Sequence, residues 1–276
     1  MAGLSQPLTV PALRARKGTG SPLVAVTAYD AFHGQLLAEA GVDIALVGDS
    51  LGMVVQGHGT TLPVTLDEMV YHTRMVGRGA AGRVFLLADL PFGSYQASPE
   101  EAVRSAIRLV KEGGAQAVKL EGGADYLRHV AALVSSMIPV VGHLGLLPQR
   151  VHAMGGYRVA GRSPEEADRI LREAKDLVAA GIFALVLEGV PRELAARITR
   201  EIPVPVIGIG AGPDTDGQVL VIHDLLGWTS EERRPRFARR FADGRGEALR
   251  ALFEFSRAVK DRQFPSEEES FHSHAP

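Results

Sequence analysis

The chain has 276 residues, of which 46% are hydrophobic and 22% are charged, a balance that excludes a disordered protein. Thirty Lys and Arg oppose 32 Asp and Glu, so bulk charge gives no reason to expect a nucleic acid or a membrane as partner. The absence of cysteine excludes disulfides and thiolate sites. No apolar run has the length of a signal peptide or a membrane span, so we expect a soluble, cytoplasmic enzyme.

Short aliphatic runs recur along the chain and predict β-strands. They are apolar nearly throughout, as parallel strands are when both faces of the sheet are covered. The predicted strands are Leu23–Thr27, Ile44–Gly48, Val84–Ala88, Ala117–Leu120, Pro139–Gly142, Ala184–Leu187, Val204–Gly208 and Val219–His223.

Amphipathic segments of helical period lie between most of these strands. The predicted helices are Val10–Lys17, Ala31–Ala40, Leu66–Gly79, Pro99–Glu112, Tyr126–Met137, Pro164–Ala180, Arg192–Glu201 and Phe237–Arg262. Thr65, Ser98 and Ser163 are predicted N-caps, and glycines such as Gly79 are predicted to end helices. Residues 213–218, between the last two strands, predict a loop.

The alternation of strands and helices favours a closed (β/α)8 TIM barrel over an open sheet. A Rossmann-type sheet would need a glycine-rich turn after the first strand, and residues 27–30 contain no glycine. We therefore predict a single α/β barrel domain over residues 1–276. It has a short N-terminal helix that closes the bottom, a C-terminal helix and a polar tail from about residue 265.

Ionisable residues stand at or just beyond the ends of five consecutive predicted strands. They are Asp49, Asp89, Lys119 with Glu121, His143, and Glu188. Because side chains alternate between the two faces of a strand, Lys119 and Glu121 share one face. If that face is the barrel interior, the whole set converges at the C-terminal mouth, where barrel enzymes carry out their chemistry.

Each of these residues also has a structural interpretation. An Asp after a strand is often a helix N-cap, which is the role we assign to Asp30. Lys119 could simply pair with an acid, and His143 could be a satisfied core histidine. A cluster of buried acids is nevertheless costly unless a cation or substrate neutralises it. Carboxylates without thiols or paired histidines suit a hard ion such as Mg²⁺.

Several motifs resemble those of one known family, the ketopantoate hydroxymethyltransferases (3-methyl-2-oxobutanoate hydroxymethyltransferases). The likeness runs from about Thr27 to His223, with a further similar segment at Phe264–Phe271. The motifs that carry it are Val47-Gly-Asp-Ser-Leu-Gly-Met53, Gln56-Gly-His58, Thr61-Leu-Pro-Val-Thr65, Leu87-Ala-Asp-Leu-Pro-Phe92, Val118-Lys-Leu-Glu-Gly-Gly123, Gly142-His-Leu-Gly-Leu146 and Ile207-Gly-Ile-Gly-Ala-Gly212.

The resemblance implies a metal-dependent barrel that transfers a hydroxymethyl group from 5,10-methylenetetrahydrofolate to 3-methyl-2-oxobutanoate. The reaction passes through a Mg²⁺-stabilised enolate and gives ketopantoate for pantothenate and coenzyme A synthesis. By motif, the resemblance places Asp49, Asp89 and Glu121 around Mg²⁺, directly or through water. It also implies a homodecamer. Asp49, Ser50, Asp89 and Lys119 bind the oxoacid, Glu188 accepts the proton, and His143 is a secondary candidate for proton relay.

Two other classes of protein remain open at this point. The first is a Mg²⁺-dependent barrel lyase acting on 2-oxoacids, such as an isocitrate-lyase-like or phosphonate-forming enzyme, which would share the acids without requiring folate. The second is a catalytically silent barrel that serves as an assembly module. Such a module would have no reason to place five ionisable residues, from Asp49 to Glu188, at strand ends.

Overall fold

The computed structural model describes residues 8–230, 232 and 234–273. Eight parallel strands close into a barrel in the order β1 to β8. Their bounds are Leu23–Thr27, Ile44–Val47, Phe85–Asp89, Ala117–Glu121, Val140–Gly145, Ala184–Glu188, Val206–Ile209 and Gly217–Leu220. The predicted (β/α)8 TIM barrel is therefore confirmed.

Helices α1 to α11 follow the chain in the predicted alternation, with short turns added at the barrel mouth. Their bounds are Val10–Ala15, Ala31–Glu39, Leu51–Val54, Leu66–Ala80, Pro99–Lys111, Leu127–Ser135, Val151–Met154, Pro164–Ala180, Arg192–Glu201, Ile222–Leu225 and Gly244–Lys260. Single 3-10 turns occupy Ala124–Tyr126, Pro148–Arg150 and Glu267–Glu269. Among the residues described, no helix combines the length and the apolar character needed to cross a bilayer.

The structure shows the capping hydrogen bonds that the sequence predicts at the starts of several helices. Thr65 and Glu68 form a reciprocal capping box at α4, while Ser98 and Ser163 each accept a hydrogen bond from the first turn of α5 and α8. The carboxylate of Asp30 accepts the N–H of His33 at 2.7 Å, which confirms its assignment as the N-cap of α2.

The barrel interior is apolar at its lower levels. The core cluster includes Ile44 and Leu46 from β2, Phe85 and Leu87 from β3, and Val141 from β5. Leu13 of α1, with 1% of its surface exposed, belongs to the same cluster, so the N-terminal helix closes the bottom as predicted. Because inward positions alternate with outward ones along a strand, the position of the last residue determines whether its side chain points into the barrel.

Contacts divide the chain into two compact units, Met1–Ile222 and His223–Pro276. The barrel belongs to the first unit. In the second, Trp228 packs edge-on against His223 at 5.2 Å, and α11 carries no buried residue. The extent of the single domain predicted from the sequence stays a prediction, and its ends at 1–7 and 274–276 lie outside the described residues.

Two predicted boundaries in the C-terminal part were wrong. Strand β8 is Gly217–Leu220, not Val219–His223, because Gly217 is a close-approach residue: a Cβ there would lie 2.6 Å from the carbonyl oxygen of Leu23. The last helix begins at Gly244, not Phe237, because Asp243 caps it through the N–H of Gly246.

The prediction that α4 ends at Gly79 was also wrong. The helix continues to Ala80, and the left-handed residue at its end is Ala81, with φ 48°. A Cβ on Gly79 would lie 1.8 Å from the carbonyl oxygen of Ala31, so glycine is required here by the close packing of α4 against α2. Gly34 on α2 has the matching role: its Cβ would lie 2.3 Å from the carbonyl oxygen of Val76.

Gly79→Ala should therefore destabilise the protein by about 2–4 kcal/mol, although alanine is intrinsically the better helix former. Gly59→Ala is the matched control, since nothing lies within 4 Å of the added Cβ, and it should change stability by less than about 0.5 kcal/mol. Urea unfolding followed by circular dichroism measures both variants. A Gly79→Ala protein as stable as the wild type would contradict the packing described here.

Candidate active site

The ionisable residues predicted at the strand ends all lie at the C-terminal mouth of the barrel. Backbone register pairs Asp89 with Lys119, Glu121 with His143, and Gly145 with Glu188. The side chains on β3 to β6 continue the inward faces of their strands; on β3, for example, Phe85, Leu87 and Asp89 alternate with outward residues, whereas Asp49 lies two residues beyond the end of β2. The convergence predicted from the alternation is therefore confirmed.

Asp89 connects the ends of β2, β3 and β4. Its Oδ1 lies 2.9 Å from Nζ of Lys119, and both side chains are only 5% exposed. Its Oδ2 accepts the backbone N–H of Asp49 at 3.2 Å. The ion pair agrees with a substrate-binding role for Lys119 and equally with a structural one, so a variant must decide between them.

His143 lies between two carboxylates. Its Nδ1 is 3.4 Å from Nζ of Lys119 and 3.7 Å from Oε1 of Glu121. Its Nε2 is 3.3 Å from Oε2 of Glu188, but without hydrogen-bond geometry to any described residue. His143 is thus not a fully satisfied core histidine, which keeps its predicted role in proton relay open.

Burial raises the pKa of the carboxylic acids at the mouth. Burial and the nearby charge of Asp89 raise the pKa of Asp49 to about 7. Burial and the charge of Asp49 raise the pKa of Glu121 well above its ordinary range. Burial also raises the pKa of Glu188 to about 7, against an opposing effect of Lys119. Glu188 therefore has the proton affinity of a general base that works near neutral pH.

The basic groups respond in opposite directions. Burial lowers the pKa of Lys119, but the carboxylates of Asp89, Glu121 and Asp49 raise this pKa by a larger amount. The ammonium therefore stays charged. Burial and the charge of Lys119 lower the pKa of His143 well below its usual value. His143 is therefore neutral, and because the ammonium can only donate, Nδ1 of His143 is the acceptor and Nε2 carries the proton.

Ser50 lies beside the acids at the start of α3. Its Oγ is 2.8 Å from Oη of the buried Tyr29. A Cβ on Gly48 would lie 2.8 Å from this Oγ and 3.6 Å from Oδ2 of Asp89. Glycine at position 48 therefore leaves room for the hydroxyl and the carboxylate to face the same space.

Two contributors to the site are not predicted by the sequence pattern. Gln149 is 6% exposed, and its Nε2 donates to Oδ2 of Asp49 at 2.8 Å, while its backbone N–H donates to Oε2 of Glu121 at 3.0 Å. Tyr95 places its Oη 2.8 Å from Oε1 of Gln149. Neither side chain is charged near neutral pH, so a pattern of charged residues at strand ends does not indicate them.

The residues present fit a divalent cation. Asp49, Asp89 and Glu121 are buried and supply only oxygen atoms, and when ionised they carry three negative charges against the single positive charge of Lys119. Oδ1 of Asp89 is buried and pairs with Nζ of Lys119 at 2.9 Å. Within the same part of the chain no three His, Asp or Glu side chains close around one point as a complete metal site. A site with few direct protein ligands suits Mg²⁺, because this ion keeps several of its waters.

These features define the class of protein. A closed (β/α)8 barrel with buried acids, a charged lysine and a neutral histidine at its C-terminal mouth has the arrangement of an enzyme that binds a small oxyanion and moves a proton. The family model of ketopantoate hydroxymethyltransferase matches residues 7–267, and the chain belongs to this family.

Relatives with established names agree with this assignment. The chain is 54% identical over 269 residues to the 3-methyl-2-oxobutanoate hydroxymethyltransferase of Anaeromyxobacter sp. (strain K), covering 96% of this chain and 88% of the relative. It is 53% identical over 265 residues to the enzyme of the same name from Moorella thermoacetica, covering 96% and 97%. The chain is thus a hydroxymethyltransferase enzyme, which excludes the silent assembly module.

Solved structures share the fold at much lower identity. One is 2,3-dimethylmalate lyase, a PEP mutase/isocitrate lyase superfamily member, which matches with a TM-score of 0.60 and 16% identity over 96% of this chain and 89% of that one. Similarity at this level shows the barrel alone. The family match therefore favours hydroxymethyl transfer over the lyase class considered from the sequence.

Glu188→Gln should change how stability depends on pH. The pKa of Glu188, about 7 in the folded protein, exceeds its ordinary value of 4.5, so the folded state retains this proton more tightly than the unfolded state. The resulting stabilisation is complete below about pH 4.5 and is lost as the pH rises through 7.

Relative to the wild type, the metal-free Glu188→Gln protein should therefore gain about 1–3 kcal/mol of stability between pH 5 and pH 8. Urea unfolding at both pH values measures the difference, with substitution of the exposed Glu39 by Gln as the control. Parallel pH profiles for Glu188→Gln and the wild type would mean that folding does not raise the pKa of Glu188.

Proposed function

We propose that this enzyme transfers a hydroxymethyl group from 5,10-methylenetetrahydrofolate to 3-methyl-2-oxobutanoate and forms ketopantoate for pantothenate and coenzyme A synthesis. One observation carries the proposal: a chain 54% identical to a relative named for this oxoacid buries a lysine and three carboxylates at one barrel mouth, beside the partly exposed carboxylate of Glu188. Decameric assembly stays an expectation from the family resemblance, and a cytoplasmic location stays an expectation from the sequence.

Asp49, Asp89 and Glu121 would hold Mg²⁺, directly or through water. When bound, the ion would supply positive charge beside the carboxylate and keto oxygens of the oxoacid and make the proton on its C3 more acidic. The excess negative charge of the three acids supports this proposal, because a cation relieves their mutual repulsion.

Lys119 would bind the oxoacid. Its ammonium is held 2.9 Å from Oδ1 of Asp89, so its position is fixed before substrate arrives. A buried ammonium attracts an anionic substrate strongly because little solvent screens its charge. The hydroxyl of Ser50 faces the same space and would donate a hydrogen bond to a substrate oxygen, with Tyr29 fixing its position at 2.8 Å.

Glu188 would take the proton from C3. Its carboxylate is 17% exposed, whereas the carboxylates of Asp89 and Glu121 are 5% and 3% exposed, so it has the readiest access to the mouth. Its pKa of about 7 allows it to accept a proton at neutral pH and release it later. Nε2 of His143 lies 3.3 Å from this carboxylate, and after a rotation of either side chain its N–H would donate a hydrogen bond to the charged form. The enolate carbon would then form a bond to the one-carbon unit of the folate, tetrahydrofolate would leave, and one water molecule would supply the hydroxyl oxygen of ketopantoate.

The direct test is reconstitution. Purified protein given 3-methyl-2-oxobutanoate, 5,10-methylenetetrahydrofolate and Mg²⁺ should form ketopantoate, which mass spectrometry detects. A chelator should abolish the product, and added Mg²⁺ should restore it. Product formation that survives exhaustive chelation would overturn the metal role, while absence of product with all components present would overturn the proposed reaction.

Lys119→Met separates substrate binding from a purely structural ion pair. The variant should raise KM for the oxoacid at least about tenfold, because a charge-assisted contact is lost, and leave KM for the folate within about threefold. Mg²⁺ affinity should not fall, because loss of the Lys119 ammonium leaves more uncompensated negative charge to attract the ion.

Steady-state kinetics and calorimetry measure these effects, and Lys175→Met, which removes an exposed ion pair with Glu201, is the control. Normal oxoacid kinetics in Lys119→Met would assign Lys119 to the fold rather than to the substrate.

A further inference from the structure

We propose that Gln149 is a positioning residue of this site: its side-chain amide and its backbone N–H together fix the carboxylates of Asp49 and Glu121 in the orientation that receives a divalent cation. The inference rests on the proposed function, because it concerns the acids assigned there to Mg²⁺. It adds an uncharged residue from the segment after β5 that belongs to none of the strands carrying those acids.

The contacts of Gln149 reach the ends of three neighbouring strands. Its Nε2 donates to Oδ2 of Asp49, after β2, at 2.8 Å and to the carbonyl oxygen of Leu90, after β3, at 2.9 Å. Its backbone N–H donates to Oε2 of Glu121, at the end of β4, at 3.0 Å. These are the three strands that bear Asp49, Asp89 and Glu121. One residue therefore ties together the segments whose relative position sets the spacing of the acids.

The orientation of the Gln149 amide is determined by its neighbours. Oε1 of Gln96 accepts the backbone N–H of Gly93 at 2.7 Å, so the amide of Gln96 must direct its Nε2 the other way. That Nε2 donates to Oε1 of Gln149 at 3.0 Å. Oη of Tyr95 lies 2.8 Å from the same oxygen. A flipped Gln149 amide would place donor against donor, so the NH₂ group is held facing Asp49.

Gln149 holds one oxygen of Asp49 and one of Glu121, namely Oδ2 of Asp49 and Oε2 of Glu121. Both oxygens of Asp89 are held by other donors, Oδ2 by the N–H of Asp49 and Oδ1 by Nζ of Lys119. The second oxygens of Asp49 and Glu121 make no contact with Gln149, and Oε1 of Glu121 lies 3.7 Å from Nδ1 of His143. Outer partners that orient ligand oxygens in this way typically contribute 10–100-fold to metal affinity.

The test uses Gln149→Met, which keeps the length of the side chain and the backbone N–H but removes the amide. Calorimetry on metal-free protein, with Mg²⁺ and then Mn²⁺ as the probe and no substrate, should show binding weakened about 10–100-fold. The apparent KM for Mg²⁺ should rise by a similar factor, whereas kcat at saturating Mg²⁺ should stay within about threefold of the wild type.

Gln218→Met is the matched control. Gln218 donates to the carbonyl oxygen of Gly212 at 2.9 Å and to Oγ1 of Thr215 at 2.9 Å, and it contacts none of the acids. Its metal affinity should equal that of the wild type. A folded Gln149→Met protein with unchanged metal affinity would overturn the proposal and leave Gln149 with a structural role only.

If Gln149→Met does not fold, the double variant Tyr95→Phe with Gln96→Met gives the answer. It retains Gln149 but removes both groups that orient its amide, so metal affinity should still fall, by about 3–30-fold. Unchanged affinity in that variant overturns the proposal. A wild-type protein that binds no divalent cation is a different result, since it contradicts the metal role in the proposed function itself.

Discussion

The arrangement of the barrel mouth depends on one constraint: Asp49, Asp89 and Glu121 are buried together with a single ammonium, that of Lys119. Carboxylates in a low-dielectric interior repel one another and lose hydration, and one lysine does not balance them. The molecule meets part of this cost with fixed donors, namely Lys119 on Asp89 and the groups of Gln149 on the other two acids. When the acids are ionised, the remaining negative charge suits the site to a divalent cation.

The fold below the mouth supplies the rigidity that such a site needs. Apolar side chains fill the lower barrel, so each acid stands at the end of a strand whose inward face is already packed. Closely packed helices support this frame from outside, as the contacts of Gly79 and Gly34 across α2 and α4 illustrate. Positioning of the ionisable groups therefore follows from packing and register.

The sequence predicts the barrel well because parallel strands and amphipathic helices have distinct periods. It also predicts which charged groups converge, since strand-end residues such as Asp89 and Glu188 follow alternation. It fails where glycine serves close packing rather than a turn, as at Gly79 and Gly217. It also passes over Gln149, because an uncharged amide after a strand carries no local signal, and its importance arises only from contacts between distant segments.

In the proposed mechanism, Glu188 removes the C3 proton of the oxoacid before any folate binds. The most direct measurement is hydrogen exchange at C3 of 3-methyl-2-oxobutanoate in D₂O with Mg²⁺ and no folate, followed by NMR. The wild type should exchange this hydrogen. Glu188→Gln should still bind Mg²⁺ and oxoacid but exchange about 10²–10⁴-fold more slowly, the usual contribution of a positioned general base. Exchange at the wild-type rate in Glu188→Gln would contradict the account and transfer the base role to another group, such as His143.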